Sequence, residues 1–302
     1  MSIAAASIAI LSAAIIVGVS RAWSFQRAAA ALDRARHRET NASGVVMGAE
    51  AISLSAQSDR GILLLHGFND TPQSVAPIAR ALHARGWTVS APLLPGHGRA
   101  DDALERSGTA KAWIAHARSE WDAFRARVPN AVLCGQSMGG ALSVMLAAEH
   151  PPRALVLLAP YLAMGRVPRW ASTFWWLGQL LLPIFVSNGE RALYDEEARA
   201  ESLGRGVFTP RLVAELRRVV DAARRVLPEV TVPTLVVHSR GDYRIPSKSA
   251  SGTFAAMRAV DKTIIWRENA GHVLGADRGH DELAALIASW LDARVGPISQ
   301  HA

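Results

Sequence analysis

The stretch Ala131-Val132-Leu133-Cys134-Gly135-Gln136-Ser137-Met138-Gly139-Gly140 constrains this chain more than any other. An apolar run with strand character enters a Gly-x-Ser-x-Gly pentapeptide, and a helix-forming run, Ala141 to Glu149, leaves it. Turning from strand to helix in so few residues brings backbone against backbone. Side chains two positions either side of the serine would collide, which accounts for glycine at 135 and 139. The pattern predicts a strand–turn–helix unit that holds Ser137 Oγ out at the end of a sheet, above the first turn of the following helix. A plain turn with a solvated serine would satisfy the same five residues, so the rest of the chain decides.

A nucleophilic serine needs a base, an acid that orients the base, and N–H donors for the oxyanion. Candidates follow in chain order. Thr234 to His238, after Pro233, is apolar and β-branched and reads as a buried strand running into a loop that carries Asp242. Thr263 to Trp266 reads as the next strand and leads to a loop carrying His272. Both residues lie just past strand ends, where ligands gather in open α/β sheets. Each has a bland alternative: Asp242 as a turn former or helix cap, His272 as a loop histidine without a role. Asp277 is the rival acid, but it stands too close to His272 in sequence for one loop per partner. His280, at the start of the last predicted helix, is the rival base. For the oxyanion, Gly61 to Leu65 reads as a buried strand entering His66-Gly67-Phe68-Asn69-Asp70. The Phe68 N–H in that loop and the Met138 N–H after the serine are the candidate donors. The helix that starts at Met138 also points its positive end at the same place.

Five blocks stand in order along the chain: Leu63-Leu64-Leu65-His66-Gly67-Phe68, Leu94-Pro95-Gly96-His97-Gly98, Gly135-Gln136-Ser137-Met138-Gly139-Gly140, Asp242-x-x-Ile245-Pro246 and Gly271-His272-Val273. Together they resemble bacterial carboxylesterases and monoacylglycerol lipases of the α/β-hydrolase fold, over roughly Gly61 to Leu291. The resemblance implies a mostly parallel central sheet with helices on both faces and a cap inserted after the sixth strand. It implies a Ser137–Asp242–His272 triad and an oxyanion hole from the Phe68 and Met138 amides. The implied activity is hydrolysis of a carboxylic ester with a medium or long acyl chain, without metal or organic cofactor. The segment from Pro160 to Pro233 departs from the family pattern, which bears on the substrate rather than the chemistry. His97, in the second block, reads as a loop residue bonded to backbone.

The residues themselves agree on fold class. Alternating strand and helix patterns from Gly61 onward argue an α/β domain with a parallel sheet, over residues 45–295. Hydrophobic residues make up 50% of the chain, enough for a sizeable core. The single cysteine, Cys134, excludes an internal disulfide framework and reads as inert core. No Cys/His spacing fits a zinc site, so no metal is expected. Net charge is +7, and only Lys111, Lys248 and Lys262 among the basic residues are lysines. The arginines are spread along the chain without the clustered, aromatic-interleaved patch that nucleic-acid binding needs. Attraction to anionic lipid headgroups suits them better. Oligomeric state is not legible.

Residues 1–20 carry no charged side chain, and Ile3 to Val19 is almost wholly apolar. As a helix this stretch reaches about 30 Å, a bilayer core. Arg21, Arg27, Arg34, Arg36 and Arg38 follow it, and none precedes it. That asymmetry favours an uncleaved single-span anchor with the catalytic domain on the cytoplasmic side. A cleaved signal peptide with export, and a buried or peripheral helix, are the alternatives. Residues 21–44 read as an Arg-rich helix and linker.

Between the strand at Ala154 to Leu158 and the strand at Thr234 lie 75 residues, far more than a bare connection needs. The surplus, about residues 160–230, reads as a cap over the site. It is dense in apolar residues, among them Trp170, Phe174, Trp175, Trp176 and Leu177. These pack on the core, enclose an acyl chain or enter a membrane surface. Trp170, Phe174, Trp175 and Leu177 are the candidate substrate-binding residues. The expected function is a serine ester hydrolase with a small-molecule ester substrate. Thioester hydrolysis, acyl transfer or carbon–carbon bond hydrolysis on the same triad is the alternative, and a non-enzymatic membrane-anchored binding protein is a further one.

Overall fold

The computed structural model describes residues 3–187 and 192–296. Met1 and Ser2 of the 1–20 segment, and residues 188–191 of the 160–230 insertion, lie outside the described residues. Continuous apolar runs make the strands: β1 (Ile52–Leu54), β2 (Arg60–Leu65), β3 (Thr88–Ala91), β4 (Asn130–Gln136), β5 (Leu155–Leu158), β6 (Phe185–Val186), β7 (Val207–Phe208), β8 (Thr234–Ser239) and β9 (Lys262–Arg267). Seven form one sheet in the order β1-β3-β2-β4-β5-β8-β9, and β6 and β7 form a separate two-stranded ribbon. Every pairing in the large sheet is parallel except that of β1 with β3.

The helices are α1 (Ile3–Arg36), α2 (Ala76–His83), α3 (Ala103–Ser107), α4 (Ala110–Arg127), α5 (Met138–Glu149), α6 (Arg166–Thr173), α7 (Trp175–Leu181), α8 (Glu196–Glu201), α9 (Pro210–Val226), α10 (Ser247–Ala256) and α11 (His280–Val295). Because successive strand residues face opposite ways, each apolar strand feeds two cores. Leu63, Leu65, Leu133 and Leu157 pack with Trp113, Trp121 and Phe124 of α4 and with α5 and α9. Ile62, Leu64, Val132 and Val156 pack with α2 and with Leu283, Ile287 and Leu291 of α11. The sheet is thus covered by helices on both faces.

The insertion follows β5, the fifth strand in chain order, with β1 alone preceding the strand that leads to His66. The 1–20 stretch and the Arg-rich stretch after it lie on one helix that runs unbroken from Ile3 to Arg36. Its two halves differ in surroundings. Up to Val19 its described side chains are almost all exposed. From Arg21 it lies on the insertion: Arg21 Nη1 donates to the carbonyls of Gln179 and Leu180 (both 3.1 Å), and Ser24 Oγ donates to Ile184 O at 2.7 Å. Ala28 and Ala31 are buried there against Val207. The chain then enters the domain near residue 45, where Val46 N–H donates to Gly98 O at 2.8 Å.

Leu133 is wholly buried between β2, β5 and α5. Leu133→Ala should cost about 2–5 kcal/mol, lost transfer energy plus a cavity, read as a lowered midpoint in urea unfolding.

Candidate active site

The β4–α5 turn is built around close backbone approach. A Cβ on Gly139 would lie 2.0 Å from Leu65 O, and one on Gly135 would lie 2.3 Å from Gly139 O. Without side chains there, α5 starts directly over the end of β2. Ser137 adopts φ 56° and ψ −115°, a conformation that costs a non-glycine residue energy. Its backbone is pinned from both sides: Ser137 N–H donates to Leu158 O at 2.9 Å, and Tyr161 N–H donates to Ser137 O at 3.0 Å.

The structure brings Ser137, His272 and Asp242 together. His272 Nε2 lies 2.8 Å from Ser137 Oγ, and its Nδ1 lies 2.7 Å from Asp242 Oδ2. Asp242 and His272 are buried, and Ser137 is partly open. Burial pushes the Asp242 carboxyl upward, but the hydrogen bond and charge of His272 outweigh it. With help from the Ile245 N–H and His238, the net effect lowers it below the ordinary aspartate value. Asp242 therefore stays ionised under the imidazole. Its other oxygen accepts the N–H groups of Arg244 (2.8 Å) and Ile245 (3.0 Å).

The His66–Phe68 turn closes the other side. A Cβ on Gly67 would sit 3.3 Å from Ser137 Cβ, so this backbone lies against the serine. Met138 is the first residue of α5, and its N–H has no partner inside the helix. Gln136, Ser74 and Gly275 tie the surrounding loops: Gln136 Nε2 donates to Ser74 Oγ (3.2 Å), and Gln136 Oε1 accepts the Gly275 N–H (2.8 Å).

A scan against family models matches residues 56–279 to Hydrolase_4, serine aminopeptidase S33. That span is most of the chain. The chain belongs to the Hydrolase_4 (serine aminopeptidase, S33) family. It is a serine hydrolase of the α/β-hydrolase fold. Among curated proteins this hydrolase is 28% identical over 218 residues to a thermostable monoacylglycerol lipase of Bacillus sp. (strain H-257), covering 72% of this chain and 84% of the other. It is 26% identical over 238 residues to a carboxylesterase of Bacillus subtilis (strain 168), covering 78% and 93%. Among solved structures it matches a chain of the metagenome-derived lipolytic enzymes LipS and LipT with TM-score 0.75 and 25% identity, covering 82% of this chain and 99% of that one.

Four buried groups in the hydrolase bond backbone rather than the serine. Leu94 N–H donates to His66 Nε2 at 3.1 Å, so His66 carries its proton on Nδ1 and donates it to Gly67 O at 2.9 Å. Burial, reinforced by His97, holds His66 neutral far below its ordinary range. Asp277, the rival acid, instead accepts the N–H groups of Gly271 (2.5 Å), Tyr194 (2.9 Å), Asp195 (2.8 Å) and Arg278 (2.8 Å). It locks the loop that carries His272 to the insertion. His238 bonds Ile245 O at 2.8 Å from beneath Asp242. His97 Nδ1 bonds Pro95 O at 3.2 Å, as expected, and burial pushes it down to about 4.

A cavity of about 890 Å³ opens beside Phe68 and Val273, bounded by α1, the insertion and α2. Trp170, Phe174, Trp175 and Leu177 do not line it. Trp170 is 67% exposed and Phe174 39% exposed, their rings in tilted contact at 5.0 Å, and Trp175 and Leu177 are half-buried. The reason is the roll of α6 and α7. Arg217 reaches Arg169 O (3.2 Å) from α9, Arg21 caps the end of α7 from α1, and the aromatic face is left outward. His280, the rival base, lies on the cavity wall and bonds Asp277 O.

Asp70 lies on the same wall, and burial pushes its carboxyl from 3.8 up to about 6. A folded-state value above the unfolded one means the fold binds this proton more tightly than the unfolded chain. Stability is therefore lost as pH rises through about 6 and regained as it falls toward 4. Asp70→Asn should raise the unfolding free energy near neutral pH by on the order of 1–2 kcal/mol, with the gain vanishing near pH 4, measured by thermal unfolding across that range.

Proposed function

We propose that this protein is a membrane-associated carboxylic ester hydrolase acting on medium- or long-chain acyl esters such as monoacylglycerol. Ser137 is the nucleophile, His272 the base, Asp242 the orienting acid, and the Phe68 and Met138 amides form the oxyanion hole. The observation that carries this reading is the unbroken chain Ser137 Oγ–His272–Asp242 at 2.8 and 2.7 Å. The similarity to proteins named monoacylglycerol lipase and carboxylesterase supports the ester class.

The chemistry runs as follows. The Nδ1 proton of His272 is donated to the Asp242 carboxylate, which leaves Nε2 as acceptor for the Ser137 proton. Ser137 Oγ adds to the acyl carbon, Nε2 takes the proton, and the Asp242 charge stabilises the imidazolium. The carbonyl oxygen becomes an oxyanion opposite two N–H donors and the start of α5, an arrangement in which one donor is worth around 3 kcal/mol of barrier. Collapse breaks the ester C–O bond, and the alcohol leaves with the Nε2 proton. Water then adds to the acyl-serine, giving its proton to Nε2, and Ser137 recovers that proton as the acid departs.

The insertion acts as the cap. Its outward Trp176 and Leu180 lie on α7, which α1 contacts, and exposed Trp170 lies on the adjoining α6, which supports seating of this face at a lipid surface beside a single α1 anchor. Arginines following the apolar half of α1 support a cytoplasmic catalytic domain.

The test is hydrolysis of p-nitrophenyl esters from acetate to palmitate beside 1-monoacylglycerols. Turnover should peak at medium or long chains, extend to monoacylglycerol and fall by about a thousandfold or more in Ser137→Ala. A fully active Ser137→Ala protein would remove Ser137 as nucleophile. No ester turnover from folded protein would favour thioester, acyl-transfer or carbon–carbon chemistry on the same residues.

A further inference from the structure

Arg27 and Arg34 stand two helical turns apart on α1, with Ala31 between them, so the three share a face. That face is a wall of the cavity beside Phe68 and Val273. The helix is held in place by contacts unrelated to those two side chains: Arg21 and Ser24 at one end, and at the other Arg38, whose guanidinium donates to the carbonyls of Ser202 (2.9 Å) and Gly204 (3.2 Å). Arg80, on α2, lines the same cavity.

The cavity's charges are unevenly committed. Arg205 pairs with Glu105 at 3.4 Å, and Arg244 Nη2 donates to Ser187 Oγ at 2.7 Å. Of the four carboxylates on the wall, Asp195 caps α8 through the Ala198 N–H, Asp70 accepts the Thr71 N–H, and Glu197 and Glu201 are exposed. Among the described residues Arg27, Arg34 and Arg80, all exposed at the cavity wall, make no ion pair, and Arg27 has only the Trp23 ring, at 4.9 Å. Three guanidinium groups that form no ion pair at one cavity wall favour an anion with several oxygens, for which the planar fork is suited. Phe68, beside the serine, and Val273, next to His272 in sequence, are both on the cavity wall, which places the cavity next to the site.

We propose that this cavity binds a phosphate group carried by the alcohol portion of the ester, with Arg34 and Arg80 as its main partners and Arg27 at the rim. The N-terminal helix is then part of the substrate site as well as an anchor. This rests on the ester-hydrolase reading and narrows its substrate class.

The experiment uses the full chain in neutral detergent with two short monomeric substrates, 1-hexanoylglycerol 3-phosphate and 1-hexanoylglycerol, so that adsorption to a charged interface plays no part. The phosphate substrate should have about tenfold or higher kcat/KM. That ratio should fall by about tenfold or more in Arg34→Gln/Arg80→Gln, through KM, and should shrink as salt rises from about 50 to about 500 mM. Equal kcat/KM for the two substrates, or a ratio unchanged in the double variant, overturns the proposal. Calorimetric titration of glycerol 3-phosphate into Ser137→Ala gives a second readout that needs no turnover. Binding weakened about tenfold or more by Arg34→Gln/Arg80→Gln supports the site, and no binding, or binding unaffected by those changes, refutes it. If neither hexanoyl ester nor any p-nitrophenyl ester is cleaved, the ester reading fails separately, and the titration still decides the phosphate site.

Discussion

The approach of α5 to the end of β2, glycine backbone against the Leu65 carbonyl, governs the rest of this molecule. It sets where Ser137 can stand, and it holds that residue in a left-handed conformation that only a stiff surround maintains. The surround is the fully buried centre of a parallel sheet, hydrogen-bonded on both sides, with a core on each face. Everything else in the site is arranged around that point. The β8 and β9 exit loops deliver Asp242 and His272, and the β2 exit loop delivers Gly67 and Phe68.

Much of this was legible because each element leaves a local trace. Central strands buried on both faces are unbroken apolar runs, so β2, β4, β5, β8 and β9 stand out in the chain. Residues that act at the ends of such strands are readable by position, which is why Ser137, Asp242 and His272 could be named before their contacts were known. What was not legible depends on partners distant in sequence. Asp277 bonds amides of Gly271, Tyr194 and Asp195, and Gln136 bridges Ser74 and Gly275; no spacing advertises either role. The three residues of β1 and the two each of β6 and β7 are too short to show a period.

The aromatic density of the insertion makes it a candidate to enclose substrate, because dense apolar residues must be covered. The structure turns Trp170 and Phe174 outward, since helix roll is set by Arg217 and Arg21 bonding backbone carbonyls, which composition does not reveal. The same contacts make α1 more than an apolar tether. Its first half fits a bilayer, and its second half is a structural wall of a charged cavity.

The most direct test of the central claim, that Ser137 is an activated nucleophile, is covalent. The full-length protein would be treated with a fluorophosphonate, and the adduct located by intact mass and peptide mapping. The account predicts a single adduct on Ser137 that forms at neutral pH and is lost when His272 is replaced by alanine. No adduct on folded protein, an adduct on another residue, or labelling of Ser137 that ignores the loss of His272 would contradict it.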